Sequence, residues 1–157
     1  MPDAAAIKAL ASEHLAHGRF GDDHIRRTAT VADPSLVVGP RGEPHSWLVA
    51  LTTGNRLAAV FQILLDGTVM RFSNFQRRPG DLSGCPSARD WLDPASARDR
   101  AATQTHPGDA VDTPVLTFDR SPERLVWAVP VRSPNGDRRT VYVAGNSVYD
   151  PPNTTTG

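Results

Sequence analysis

The sequence predicts an α+β fold built on a curved antiparallel sheet with helices on one face. Residues 46–75, SWLVALTTGNRLAAVFQILLDGTVMRFSNF, hold three apolar runs separated by Gly54-Asn55 and Asp66-Gly67. Short turns between antiparallel strands need backbone at positive φ, which Gly and Asn adopt at little steric cost. A three-stranded meander over about residues 47–52, 57–65 and 68–75 follows from the turn spacing. Residues 4–17 carry a helical pattern ahead of it, and residues 114–149 return to the strand pattern behind a second helical stretch.

The first helix starts behind Asp3, a good N-cap, and stops before Gly18, where a C′ glycine belongs. Ile7, Leu10, Ala11, His14 and Leu15 recur at the i, i+3, i+4, i+7, i+8 spacing of one buried stripe. Residues 24–31 read as a short strand, as do 35–38 before Gly39-Pro40. In the meander Trp47, Val49 and Leu51 share one face, while Leu48, Ala50 and Thr52 share the other. The middle run is apolar on both faces except at Gln62, the pattern of a central strand covered on both sides.

Loop chemistry fills 77–84, and a helix is expected from about Pro86, interrupted at Pro94 and continuing to Thr103. Strands are expected at 114–118, 125–131, 139–144 and 147–149. Pro130 cannot donate to a ladder, so its strand is expected at an edge or bulged there. The organisation predicted is one α+β domain over 1–150, with candidate halves 1–75 and 86–150, and a frayed tail at 151–157. The tail carries a glycosylation sequon, Asn153-Thr154-Thr155, to which no role is assigned.

The two halves share an order of elements: helix, short strand, Trp-containing strand, turn, strand, turn, strand. Trp47-Leu48-Val49-Ala50-Leu51 matches Val126-Trp127-Ala128-Val129 in pattern, and 65–70 matches 143–149 with one residue of slack. The sequence thus suggests two α-β-β-β repeats. Val141-Tyr142-Val143-Ala144-Gly145-Asn146-Ser147-Val148 resembles the last hairpin of PepSY-type domains, and residues 47–51 resemble their middle strand. That resemblance implies PepSY-like units in tandem, and a non-catalytic module that binds or inhibits peptidases or senses partners outside the cytoplasm. It brings no catalytic residue with it.

Seventeen basic residues balance seventeen acidic ones, which argues against a dedicated nucleic-acid binder. All the basic residues except Lys8 are arginine, a bias that points to a GC-rich bacterial coding sequence. One cysteine excludes an internal disulfide and a multi-cysteine zinc site. No run is long enough to span a membrane, and no charged segment followed by an apolar run opens the chain. A cytoplasmic protein without membrane contact is the expectation.

Cys85, just before the expected helix start and near Arg77, Arg78 and Arg89 in sequence, is the candidate catalytic residue. A helix N-terminus and cationic neighbours lower a thiol pKa. A base would have to come from His45 or His106, and the plainer reading is a small packing residue. Arg71, Arg77 and Arg78 form a candidate anion-binding patch. Phe72, Phe75 and Trp91 are the candidate apolar contacts, drawn from a set with Phe61, Trp127 and Tyr142 that either lines a cavity or fills a core. His14, His17 and His24 match no metal signature, and no metal or cofactor is expected. Asp22-Asp23 and Asp90/Asp93 read as helix caps and solvated faces. The functional expectation is a non-catalytic binding or regulatory module engaging a protein or peptide partner. The alternative is a small enzyme or carrier holding an apolar metabolite between sheet and helix.

Overall fold

Asp3 begins the first helix as its sequence suggests. Its carboxylate accepts from Ala6 N at 2.9 Å, and helix α1 (Ala4–Ala16) ends at His17 before Gly18 at φ +69°. The computed structural model describes residues 2–152; the sequon and the rest of the tail from 153 lie outside the described residues. Ile7, Ala11 and Leu15 are buried on one stripe, with Leu10 half-buried beside them. Each fully buried aliphatic side chain of this kind contributes about 1.5–3 kcal/mol.

The chain divides into two compact units, one ending at Arg89 and one beginning at Asp90. In the first, α1 and α2 (Asp23–Thr28) precede β1 (Thr30–Val31), β2 (Ser35–Val38), β3 (Pro44–Thr53), β4 (Arg56–Leu64) and β5 (Val69–Asn74). The second follows α3 (Ala88–Leu92) with α4 (Pro94–Ala101), a 3-10 turn, β6 (Ala110–Val111), β7 (Val115–Phe118), β8 (Leu125–Arg132), β9 (Arg138–Ala144) and β10 (Ser147–Tyr149). The α+β class with antiparallel pairing stands, with the strands in two five-stranded sheets. No helix among the described residues is long and apolar enough to cross a membrane.

The two sheets have the same topology. One runs β1-β3-β4-β5 with β2 also on β3; the other runs β6-β8-β9-β10 with β7 also on β8. Even the register repeats, 80 positions later. Val31↔Leu51 becomes Val111↔Val131, Leu36↔Trp47 becomes Leu116↔Trp127, and Trp47↔Ile63 becomes Trp127↔Val143. The one-residue slack expected in the last hairpin is present, since Ile63 faces Val69 whereas Val143 faces Val148.

Three expectations need correction. Residues 24–28 are helical, because Asp22 accepts from Ile25 N at 2.9 Å and Asp23 sits in the positive first turn. Only Thr30–Val31 of that stretch is strand. The helix expected from Pro86 starts at Ala88, since Pro86 and Ala88 are bonded to the β3–β4 turn: Leu57 N donates to Pro86 O and Ala88 N to Asn55 O, both at 2.9 Å. Pro130 lies inside β8, a strand with neighbours on both sides. Its carbonyl accepts from Asp112 N, so its missing donor faces Asp112, just past the end of β6, and only the second bond of that pair is lost.

In the first unit α1 and α2 cover one face of the sheet. Val49, Leu51, Ala59, Phe61 and Ile63 meet Ile7, Ala11, Leu15 and Ile25 there. On the other face lie Ser46, Leu48, Ala50, Val60 and Gln62, all buried. In the second unit α4 packs on β8 and β9 through buried Ala97 and Ala101.

Candidate functional site

Gln62 is the one polar side chain in the apolar run of β4, and it is completely buried. Register sets it between Leu48 of β3 and Arg71 of β5. Its amide donates to Ser46 Oγ at 3.0 Å and accepts from Arg71 Nε at 2.8 Å. Arg71 Nη1 donates on to Ser73 Oγ at 2.7 Å, and His45 Nδ1 lies 2.9 Å from Ser46 Oγ. A polar row thus crosses three strands on the face opposite α1 and α2. Leaving one such buried group unpaired costs about 1–3 kcal/mol, so the row fixes the strands to one another. The hydroxyl, amide and guanidinium groups of this row hold position and charge, and His45 at its end is its one imidazole.

Arg71 and Phe72 are neighbours on β5 but face opposite ways. Phe72 pairs with Phe61 on the helix-bearing face, at a ring separation of 4.9 Å, and Phe20 lies 5.6 Å from it. His14 sets its ring edge-on to Phe20 at 5.6 Å. Phe61 and Phe72 therefore lie against other rings of the core rather than around a space. Phe75, just past β5, is exposed.

Beyond β5 the chain is tied down by Gln76 and Asp22. Gln76 N donates to Asn74 Oδ1 at 3.0 Å, and Gln76 Oε1 accepts from Gly80 N at 2.9 Å. Asp22, the N-cap of α2, accepts from the side-chain amides of Asn74 and Gln76 at 3.3 and 3.4 Å. Arg77 and Arg78 sit in the short loop so closed, and Arg78 Nε lies 3.7 Å from Asp81. Ser83, by its hydroxyl and its backbone N–H, holds the Asp81 carboxyl below the usual range, with Arg77 adding attraction.

Cys85 is buried. Burial pushes its thiol up, against the smaller pull of Arg56, and Asp81 adds to the rise. Its backbone N–H donates to Leu82 O and its carbonyl accepts from Arg56 Nη1, both at 3.0 Å. The residue packs where the loop returns to the β3–β4 turn, and His45, one of its two suggested bases, is engaged with Ser46. Iodoacetamide at pH 8 is expected to label Cys85 in the folded protein at least about tenfold more slowly than in urea, because the thiolate is the reactive form. Equal rates would restore it as a candidate nucleophile.

Trp91 and His106 belong to the second unit. The Trp91 carbonyl accepts from Trp127 Nε1 at 2.8 Å, and its ring lies against Gly145. At φ +57°, with a Cβ there falling 2.9 Å from the indole, Gly145 admits no side chain without movement. Tyr149 donates to buried Asp119 at 2.8 Å and meets Tyr142 edge-on. Burial first, then Asp119, pushes the Tyr149 hydroxyl up to about 12. Tyr142 and Tyr149 pair as Gln62 and Arg71 do, so the repeat keeps the address and changes the chemistry.

Asp22 and Asp93 are N-caps, as the sequence suggested, whereas Asp90 pairs with Arg100 at 2.9 Å. No cluster of three metal-ligating side chains occurs among the described residues. The isolated Gln62 was visible in sequence as a polar break in an apolar run, whereas Ser46 and Ser73 join it only through strand register. No family model, curated protein or solved structure matches the chain.

Proposed function

We propose that the chain is a non-catalytic binding module that takes an extended peptide or protein segment as an added strand on β5. The observation that carries this reading is the hydrogen-bond phase of that strand. Phe75 N donates inward to Ala58 O at 2.8 Å. Alternation along an antiparallel strand then turns the N–H and C=O of Asn74 and Phe72 away from β4. β5 is the last strand of its sheet, so these groups form a pairing edge of the kind used in strand addition. The corresponding strand of the second unit, β10, has three residues and is followed by Pro151-Pro152, a blunted edge. The resemblance to PepSY-type modules supports the same class of function, and a cytoplasmic setting suits a lone thiol.

The test joins native mass spectrometry of protein taken gently from its source cells with amide hydrogen exchange. In the free protein the Phe72 and Asn74 amides are expected to exchange much faster than those of Ser73 and Phe75. A retained polypeptide that protects Phe72 and Asn74 is the expected result. A retained small molecule with those two amides still exchanging would transfer the function to a metabolite carrier.

A further inference from the structure

Resting on the strand-addition reading, we infer that the added segment is acidic, with carboxylates at the end of its strand that lies beside Arg77 and Arg78. From Gly67 to Gly80 the charged residues are Arg71, Arg77 and Arg78, all positive. Arg71 is held by Gln62 and Ser73 within the polar row, so the inference places no demand on it. Arg77 and Arg78 stand at the C-terminal end of β5, in the loop that Gln76 closes between Asn74 and Gly80. The Arg78 side chain is 82% exposed, and Arg77 is exposed too.

The acids around this loop are engaged by their own donors. Asp22 serves Ile25 N, Asn74 and Gln76; Asp23 pairs with Arg26; Asp81 takes the Ser83 hydroxyl and N–H as well as facing Arg78. An incoming strand therefore finds main-chain groups at Phe72 and Asn74, an exposed phenyl ring at Phe75 and, past Gln76, the exposed Arg77 and Arg78, of which Arg77 lies against Gly84 and Arg78 near Asp81. Carboxylates on that strand gain attraction there, and lysines meet repulsion.

Two synthetic peptides separate this inference from the reading beneath it. Each has the core Thr-Val-Thr-Val-Thr, flanked on both sides by Glu-Glu in one and Gln-Gln in the other, and is titrated into the isotope-labelled full chain. The Glu peptide is expected to bind about fivefold more tightly at low salt, the size two exposed ion pairs supply, and to lose that advantage as salt rises. The double variant Arg77→Gln, Arg78→Gln, with its amide spectrum showing an intact fold, is expected to bind both peptides alike. Equal binding by the unaltered protein, with Phe72 and Asn74 protected, overturns the acidic partner and leaves strand addition standing. If neither peptide protects those amides, both fall.

Discussion

Phe61→Ala is expected to destabilise the first unit by about 3–5 kcal/mol, the usual range for removing a buried phenyl from a core. The side chain is fully buried at the centre of its sheet, with Phe20 at 5.4 Å, Phe72 at 4.9 Å and His14 at 6.4 Å. These rings are held by β5, by α1 and by the segment joining α1 to α2, so no single neighbour moves in to fill the space. Urea denaturation followed by circular dichroism measures the loss. A cost under about 1 kcal/mol would mean that the surroundings collapse onto the missing ring.

The second large effect is an asymmetry between equivalent tryptophans. Trp127 donates its indole N–H to the Trp91 carbonyl, whereas the Trp47 indole N–H is buried without an acceptor. Trp127→Phe removes a bond and strands a carbonyl, for an expected cost of about 2–3 kcal/mol with the lost packing. Trp47→Phe removes a donor that is already unpaired, so relief offsets part of the lost volume and the cost falls below about 1 kcal/mol. Equal losses on denaturation would show that packing alone governs both positions.

The meander and its turns were legible because local chemistry decides them: Gly54 and Gly67 adopt positive φ at the ends of strands of steady apolar pattern. The repeat was legible through Trp47 and Trp127, which share one address. Helix α2 was not, since six residues give too little periodicity to outweigh Ile25, Thr28 and Val31, all good strand formers. Its signal was Asp22 standing three residues before the buried Ile25. The division of the strands into two sheets depends on pairings distant in sequence, which composition does not report. For the site, Gln62 stood out as a polar break in an apolar run and Arg71 as one of three arginines, but their contact depends on register. Cys85 had its charged neighbours in sequence, while burial sets its chemistry.

That register carries an irregularity: Gln62 faces Arg71 but Ile63 faces Val69, which leaves Met70 as an extra residue on β5. Val69 and Phe72, three positions apart, both pack on the helix-bearing core because of it. Met70 is thus an inserted letter, and the bulge absorbs the shift of reading frame that it brings. Its deletion would leave Val69 and Phe72 two positions apart, in phase by plain alternation, the regular pairing that β10 already has in the second unit. A family alignment of such chains should therefore tolerate many residue types at this position, and a gap as well.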